Sequence, residues 1–340
     1  MKVDAMLRGT SPAELAAEAR EREAAGIDGL WSYEGQHDPF LPLMPVAEHT
    51  SRVSVGTAIA VAFARNPMST AYVANDLQLH SGGRFLLGLG SQVRPHIERR
   101  FGMPWSRPAP RMREYVQAMR AIWDAWATGE RLAFRGEFYS HTLMTPFFSP
   151  GPNPYGPPAV HLAAVGDRMT HVAGEVCDGL LPHPFTTARY LREHTLPVLA
   201  EGLAAGGRSR DGFTVSFSGM VVTGRTEEEM AAAARGVREQ IAFYGSTPAY
   251  RPVLDLHGWG ELGAELNRLS RGTDDDRWQR MGELIDDEVL DVFAVVAEPD
   301  RLGAAILARF GGLVDRFTFY TPYEHDDALF APATEELRRA

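Results

Sequence analysis

The chain has 340 residues, 44% of them hydrophobic and 23% charged, which suffices to bury a large core without cross-links. A formal net charge of -10 argues against a nucleic-acid or anionic-membrane partner, and the single cysteine, Cys177, excludes intrachain disulfides and thiolate metal clusters. No apolar run approaches the roughly 20 residues of a membrane span and no basic-then-apolar signal opens the sequence, so a cytoplasmic protein is expected.

In chain order, KVDAML (2–7) alternates as a short strand. Ser11-Pro12-Ala13-Glu14 is a capping box with Pro at the first helical position, and the helix it opens ends at Gly26. IDGLWSY (27–33) is a strand and MPVAEHTS a short helix. RVSVGTAIAV (52–61) is a β-branched strand, and NPMSTAYVANDLQLHSGG a helix with a Gly-Gly stop. RFLLGLG (84–90) is a continuous apolar strand of the kind buried on both faces, with a helix after it at about 110–128. AVHLAAVG (159–166), DGLLPH (178–183) and FTVSFSGMVVTG (213–224) are strands, each followed by a helix. LVDRFTFYTP (313–322) is the last strand, with a tail helix behind it.

Eight strand-helix steps predict an α/β fold of the (β/α)₈ TIM-barrel type, as one domain over 1–340; an open doubly wound sheet is the alternative. Two interruptions, at about 129–158 and 245–287, are expected to be insertions that wall the C-terminal face. The first contains a hairpin, and Phe134, Phe138, Tyr139, Phe147, Tyr250 and Trp259 are the aromatics available to line a substrate pocket.

Several familiar motifs fail. GLGSQV (88–93) has two glycines of a dinucleotide fingerprint but Val93 in place of the third, and Lys2 is the only lysine, which excludes a P-loop. There is no H-E-x-x-H, no G-x-S-x-G and no metal-ligand spacing. What remains is polarity at strand C-termini, which converge on one mouth in a barrel. Glu34, Gln36, His37 and Asp38 follow the second strand. Gly90, Ser91 and Gln92, then His96, follow the fourth; Ala164, Val165 and Gly166 close the fifth, and His183 the sixth. Gly166 before a helix start suits a phosphate, Gly90 and Ser91 offer a second close approach, and Ala58-Ile59-Ala60-Val61 is an apolar wall for a flat ring. His37 is placed to move a proton and Glu34 to orient it. These features together point to a phosphorylated, planar organic cofactor.

The runs GLWSYE with HDPFLPL, VSVGTAIA with ARNP, GGRFLLGLGSQ, HLAAVGDRMTHVAGEVCDGLL and GGLVDRFTFYTPYEH cover nearly the whole chain. Together they resemble the luciferase-like monooxygenase superfamily, most closely its branch of oxidoreductases that use the deazaflavin coenzyme F420. The resemblance implies a (β/α)₈ barrel with the cofactor ring at the C-terminal mouth. A non-prolyl cis peptide, here Ala58–Ile59, is implied behind that ring. The phosphate-bearing tail would lie near Gly90, Ser91, Gln92 and His96, then Ala164, Val165 and Gly166. Many relatives carry an acidic residue followed at once by His at the end of strand 2, whereas here Gly35 follows Glu34 and the histidine comes at 37. The resemblance implies hydride transfer between F420 and a small organic substrate, with His37 and Glu34 as the catalytic pair, and a homodimer. FMN-dependent oxygenation with a partner reductase is the alternative, and a non-catalytic flavin- or deazaflavin-binding barrel a third.

Overall fold

The structure, a computed structural model, describes residues 1–340. All eight expected strands form: β1 (Lys2–Met6), β2 (Gly29–Ser32), β3 (Ser54–Thr57), β4 (Phe85–Gly90), β5 (Ala159–Ala164), β6 (Gly179–Pro182), β7 (Thr214–Val222) and β8 (Arg316–Tyr320). They hydrogen-bond in sequence order from β1 to β6; β7 pairs with both β6 and β8, and β8 returns to β1. The pairings β8–β1, β7–β8, β2–β3, β3–β4 and β4–β5 are all parallel. This closed order, with a helix between successive strands, is the (β/α)₈ barrel, and it rules out the open sheet.

Local sequence explains the elements. Helix α1 (Pro12–Ala24) starts at the expected capping box, with Ser11 accepting from the Glu14 N–H and Glu14 accepting from the Ser11 N–H. Hydrogen bonds from the Thr10 and Ser11 N–H groups draw the Glu14 carboxyl down to about 2. Helix α2 (Leu43–Glu48) is the short one expected. Helix α3 (Pro67–His80) is capped by Asn66, which accepts from the Ser69 N–H. In β4, Gly88 lets the backbone approach β3, because a Cβ there would sit 1.7 Å from the Thr57 carbonyl oxygen. The Thr57 hydroxyl uses that closeness, donating to the Gly88 carbonyl at 2.7 Å and accepting from its N–H at 3.0 Å. The GLG of the sequence is therefore a strand-packing device.

Internal contacts group the chain into two compact units, Ala5–Leu181 with Val198–Thr214, and Met1–Asp4 with Pro182–Pro197 and Val215–Ala340. The first unit holds the long helix α4 (Pro108–Thr128), whose Met112, Tyr115, Met119 and Ile122 are fully buried, and α5 (Asp167–Val176). Its insertion contains the expected hairpin, Phe134–Arg135 against Ser140–His141, tied down by Glu114 accepting from the Glu137, Phe138 and Tyr139 N–H groups. Phe147 stands exposed rather than lining a pocket.

In the second unit the 245–287 stretch is almost wholly helical: Arg251–Leu256, Gly260–Ser270 and Arg277–Glu283, continued by Asp287–Phe293. These helices share an apolar core with α6 (Glu227–Gly245), built on Val237, Ile241, Leu254, Leu266, Met281 and Phe293. The chain then adds a short strand, Ala294–Val296, beside the end of β7, with Met220 opposite Ala294. No helix of the protein is long and apolar enough to cross a membrane.

Candidate active site

The first unit contains every residue expected to carry catalysis or hold the cofactor, whereas His183, Tyr250 and Trp259 lie in the second. Its centre is a break in the third strand. After Thr57 the chain leaves the β3 ladder, passes through the expected cis peptide between Ala58 and Ile59, and rejoins the sheet as Ala60–Val61 beside β4. The end of β2 is zipped to this bulge, with the Ala58 N–H donating to the Ser32 carbonyl at 2.7 Å and the Glu34 N–H to the Ile59 carbonyl at 3.1 Å. A Cβ on Gly90 would lie 2.8 Å from Ile59 Cδ1, so the glycine ending β4 makes room for the Ile59 side chain. Ala58 and Ile59 remain half-buried, and an apolar face is left partly open there.

The Glu34 carboxylate, 7% exposed, is committed elsewhere than expected. Its Oε2 accepts from the Val61 N–H at 2.7 Å and from Arg65 Nη1 at 2.6 Å. Arg65 Nη2 reaches Asp38 Oδ2 at 3.0 Å, while Asp38 Oδ1 accepts from the Phe40 and Leu41 N–H groups at 2.8 and 3.2 Å. Burial opposes the charge on Arg65, but the Glu34 and Asp38 carboxylates outweigh it and hold the guanidinium above its ordinary range. The expectation that Glu34 orients His37 is therefore corrected: a nearby cation captures the carboxylate. Glu34 fixes the loop that carries His37, and His37 itself stands exposed on a cavity of about 390 Å³. Met6, Leu7, Thr10, Tyr33 and Gln36 line the same cavity.

The loop after β4 approaches the same region. Arg100 Nη2 donates to the Gly35 carbonyl at 2.7 Å, linking the two loops. Gln92 adopts a left-handed backbone with φ 59°, uncommon for a residue with a side chain, and its Oε1 accepts from the Val93 N–H. Ser91 and Gln92 are half-buried, whereas His96 is exposed at the start of a five-residue π-helical turn, His96–Arg100. After β5, Ala164 is buried, Val165 is 39% exposed and Gly166 caps α5 without a side chain. A Cβ at Gly166 would meet nothing within 4 Å, so this helix start is open. An apolar wall at Ala58–Ile59, the Ser91 hydroxyl and an open helix N-terminus at Gly166 suit a planar, phosphorylated molecule. No group of His, Cys, Asp and Glu side chains is placed to hold a metal ion.

Sequence reading missed Arg65 and Arg100. Arg65 lies 31 residues from Glu34, at the end of the short 3₁₀ turn Ala62–Ala64, and only the fold brings the two together. The available signal was an arginine directly after the apolar wall, in ARNP.

Comparison with known proteins agrees with this fold. The luciferase-like monooxygenase family model matches residues 1–316. An uncharacterized protein of Mycobacterium tuberculosis (strain ATCC 25618 / H37Rv) is 56% identical over 313 residues, covering 91% of each chain. The 5,10-methylenetetrahydromethanopterin reductase of Archaeoglobus fulgidus is 27% identical over 299 residues, covering 84% of this chain and 83% of its own. Among solved structures, the coenzyme F420 dependent tetrahydromethanopterin reductase of Methanopyrus kandleri superposes with a TM-score of 0.80 at 18% identity, over 99% and 98% of the two chains. With that family model matched over residues 1–316, the chain belongs to the luciferase-like monooxygenase family.

Proposed function

We propose that this protein is an oxidoreductase that moves a hydride between coenzyme F420 and a small organic substrate. The observation that carries the reading is that the half-open Ala58–Ile59 wall and the loop bearing His37 are one piece, tied by Glu34 and Arg65. A wall for a flat ring and a group that can exchange a proton are thereby held in a fixed relation. A putative coenzyme F420-dependent oxidoreductase of Mycobacterium tuberculosis (strain ATCC 25618 / H37Rv), 30% identical over 306 residues and covering 85% of this chain and 84% of its own, supports the choice of cofactor.

In this reading Ala58 and Ile59 back the ring, Gly90 leaves them room, and Ser91, Gln92, His96, Ala164, Val165 and Gly166 receive the phosphate-bearing part. When bound, the deazaflavin supplies or accepts the hydride. The protein's own contribution is to orient and to manage the proton. His37, exposed on its cavity, gives or takes the proton that accompanies hydride transfer to or from an oxygen-bearing carbon. Glu34 and Asp38 act on it through the backbone, by holding Arg65 and hence the loop.

The family's description also fits an FMN-dependent monooxygenase. Side-by-side equilibrium titrations with F420, FMN and a nicotinamide cofactor separate the two. F420 binding with no comparable FMN binding is expected; tight FMN binding with none for F420 would sink the proposal.

A further inference from the structure

The second unit carries a polar aromatic cluster that the proposed reaction does not use. His183 follows β6, Tyr244 lies on α6, and Tyr250 precedes the helix Arg251–Leu256. The His183 ring stacks on Tyr250 with centroids 4.4 Å apart and planes at 25°, and meets Tyr244 edge-on at 4.7 Å. The Phe185 N–H donates to His183 Nδ1 at 3.0 Å. A ring nitrogen that accepts carries no proton, so the neutral imidazole holds its proton on Nε2. Burial pushes His183 down to about 4, which makes that neutral tautomer the form present at physiological pH. Nε2 lies 3.1 Å from the Tyr250 hydroxyl, so the imidazole donates and the phenol oxygen accepts. Burial moves the Tyr250 phenol up to about 12, so it keeps its own proton. That O–H is left as an oriented donor whose only hydrogen-bond neighbour in the cluster is itself a donor.

We propose that His183 and Tyr250 form a binding site for an uncharged organic molecule bearing a carbonyl or hydroxyl oxygen, which accepts the Tyr250 hydrogen bond. His183 fixes the phenol's orientation by donating to its oxygen from one side and stacking on its face. Tyr244 and Phe185 pack on Tyr250, with ring centroids 6.1 and 5.8 Å from its own, and give the phenol an aromatic setting that suits an apolar body beside the accepting oxygen. The ligand is uncharged because every ring contact and hydrogen bond of His183 and Tyr250 is with an uncharged group. A charged ligand would be desolvated there with no counter-charge. The site stands whichever cofactor the protein uses.

The test is a binding measurement on the full chain without cofactor. Cyclohexanone and methylenecyclohexane have nearly the same shape, but only the ketone oxygen is a strong acceptor. Their dissociation constants are compared by chemical-shift titration of protein labelled at His and Tyr ring carbons. In the wild type the ketone is expected to bind about tenfold tighter and to move the Tyr250 and His183 signals. Tyr250→Phe, which keeps the stacking, is expected to bring the ratio to about one. His183→Phe is expected to reduce the ratio while leaving Tyr250 in place, with a thermal melt confirming that each variant is folded. Equal affinities in the wild type, or an unchanged ratio in Tyr250→Phe, overturn the proposal; Tyr250→Phe alone decides if His183→Phe does not fold.

Discussion

Arg65 is the residue on which the site's geometry turns. Its guanidinium, 21% exposed, bridges two carboxylates, and the Glu34 carboxylate it holds is 7% exposed. Removing it leaves Glu34 with the Val61 N–H as its remaining partner. Arg65→Met is expected to lower stability by about 2 kcal/mol, less than the full cost of breaking a buried pair because Arg65 is partly solvated. Urea unfolding of the two proteins measures the difference; equal stability would mean that the bridge contributes nothing. His37 is the opposite case. It is exposed and nothing in the protein holds its ring, so His37→Ala should change stability by less than about 0.5 kcal/mol. Its turnover, once a substrate is in hand, should fall by about 10²–10⁴-fold. An unaltered rate would remove His37 from the proton-transfer role. At this scale the sequence was half legible. The residue types at the end of strand 2 marked a polar mouth, and Glu34 and His37 lie there. The partner of Glu34 was hidden, because its separation in sequence carries no periodic signature.

Elements were far more readable than contacts. The β-branched run of 52–61 and the apolar run of 84–90 identified β3 and β4, and the Ser11–Glu14 box set the start of α1 within a residue. Burial alternation and capping act locally, so a linear reading can see them. The close packing of β4 on β3 is not local, and in the sequence the GLG motif showed only as the end of an apolar strand and an incomplete dinucleotide fingerprint. Gly88→Ala is a direct probe: its Cβ would have to displace backbone at 1.7 Å rather than a movable side chain. A loss of at least about 3 kcal/mol is expected, in the range of severe core disruptions. Denaturant titration checks it, and a loss under about 1 kcal/mol would show that the two strands can separate cheaply. The short strand Ala294–Val296 went unread because three residues give no measurable period; the 245–287 insertion announced its length but not its helical content.

For the whole molecule, strand-helix alternation was enough to specify the (β/α)₈ order, since eight steps leave little choice of topology. A molecule-wide consequence concerns acid stability. His183 in the folded protein is held by burial at about 4, below its ordinary value of 6.5. Between those values the unfolded chain binds more protons, so the stability linked to His183 is complete above about pH 6.5 and is lost as pH falls toward 4. The full loss is about 3 kcal/mol. Wild type and a folded His183→Phe variant should therefore differ in the pH slope of their unfolding free energy between pH 6.5 and 4; parallel slopes would contradict the buried neutral histidine.

The central claim is that the wall at Ala58–Ile59, opened by Gly90, receives the ring of F420. Calorimetric titration of F420 into the wild type and into Gly90→Leu tests it most directly, because a larger side chain at 90 must crowd Ile59. Measurable F420 binding by the wild type is expected, with a loss of at least about tenfold in the variant, or 1.4 kcal/mol. No F420 binding by the wild type, or equal binding by a folded Gly90→Leu protein, would contradict it.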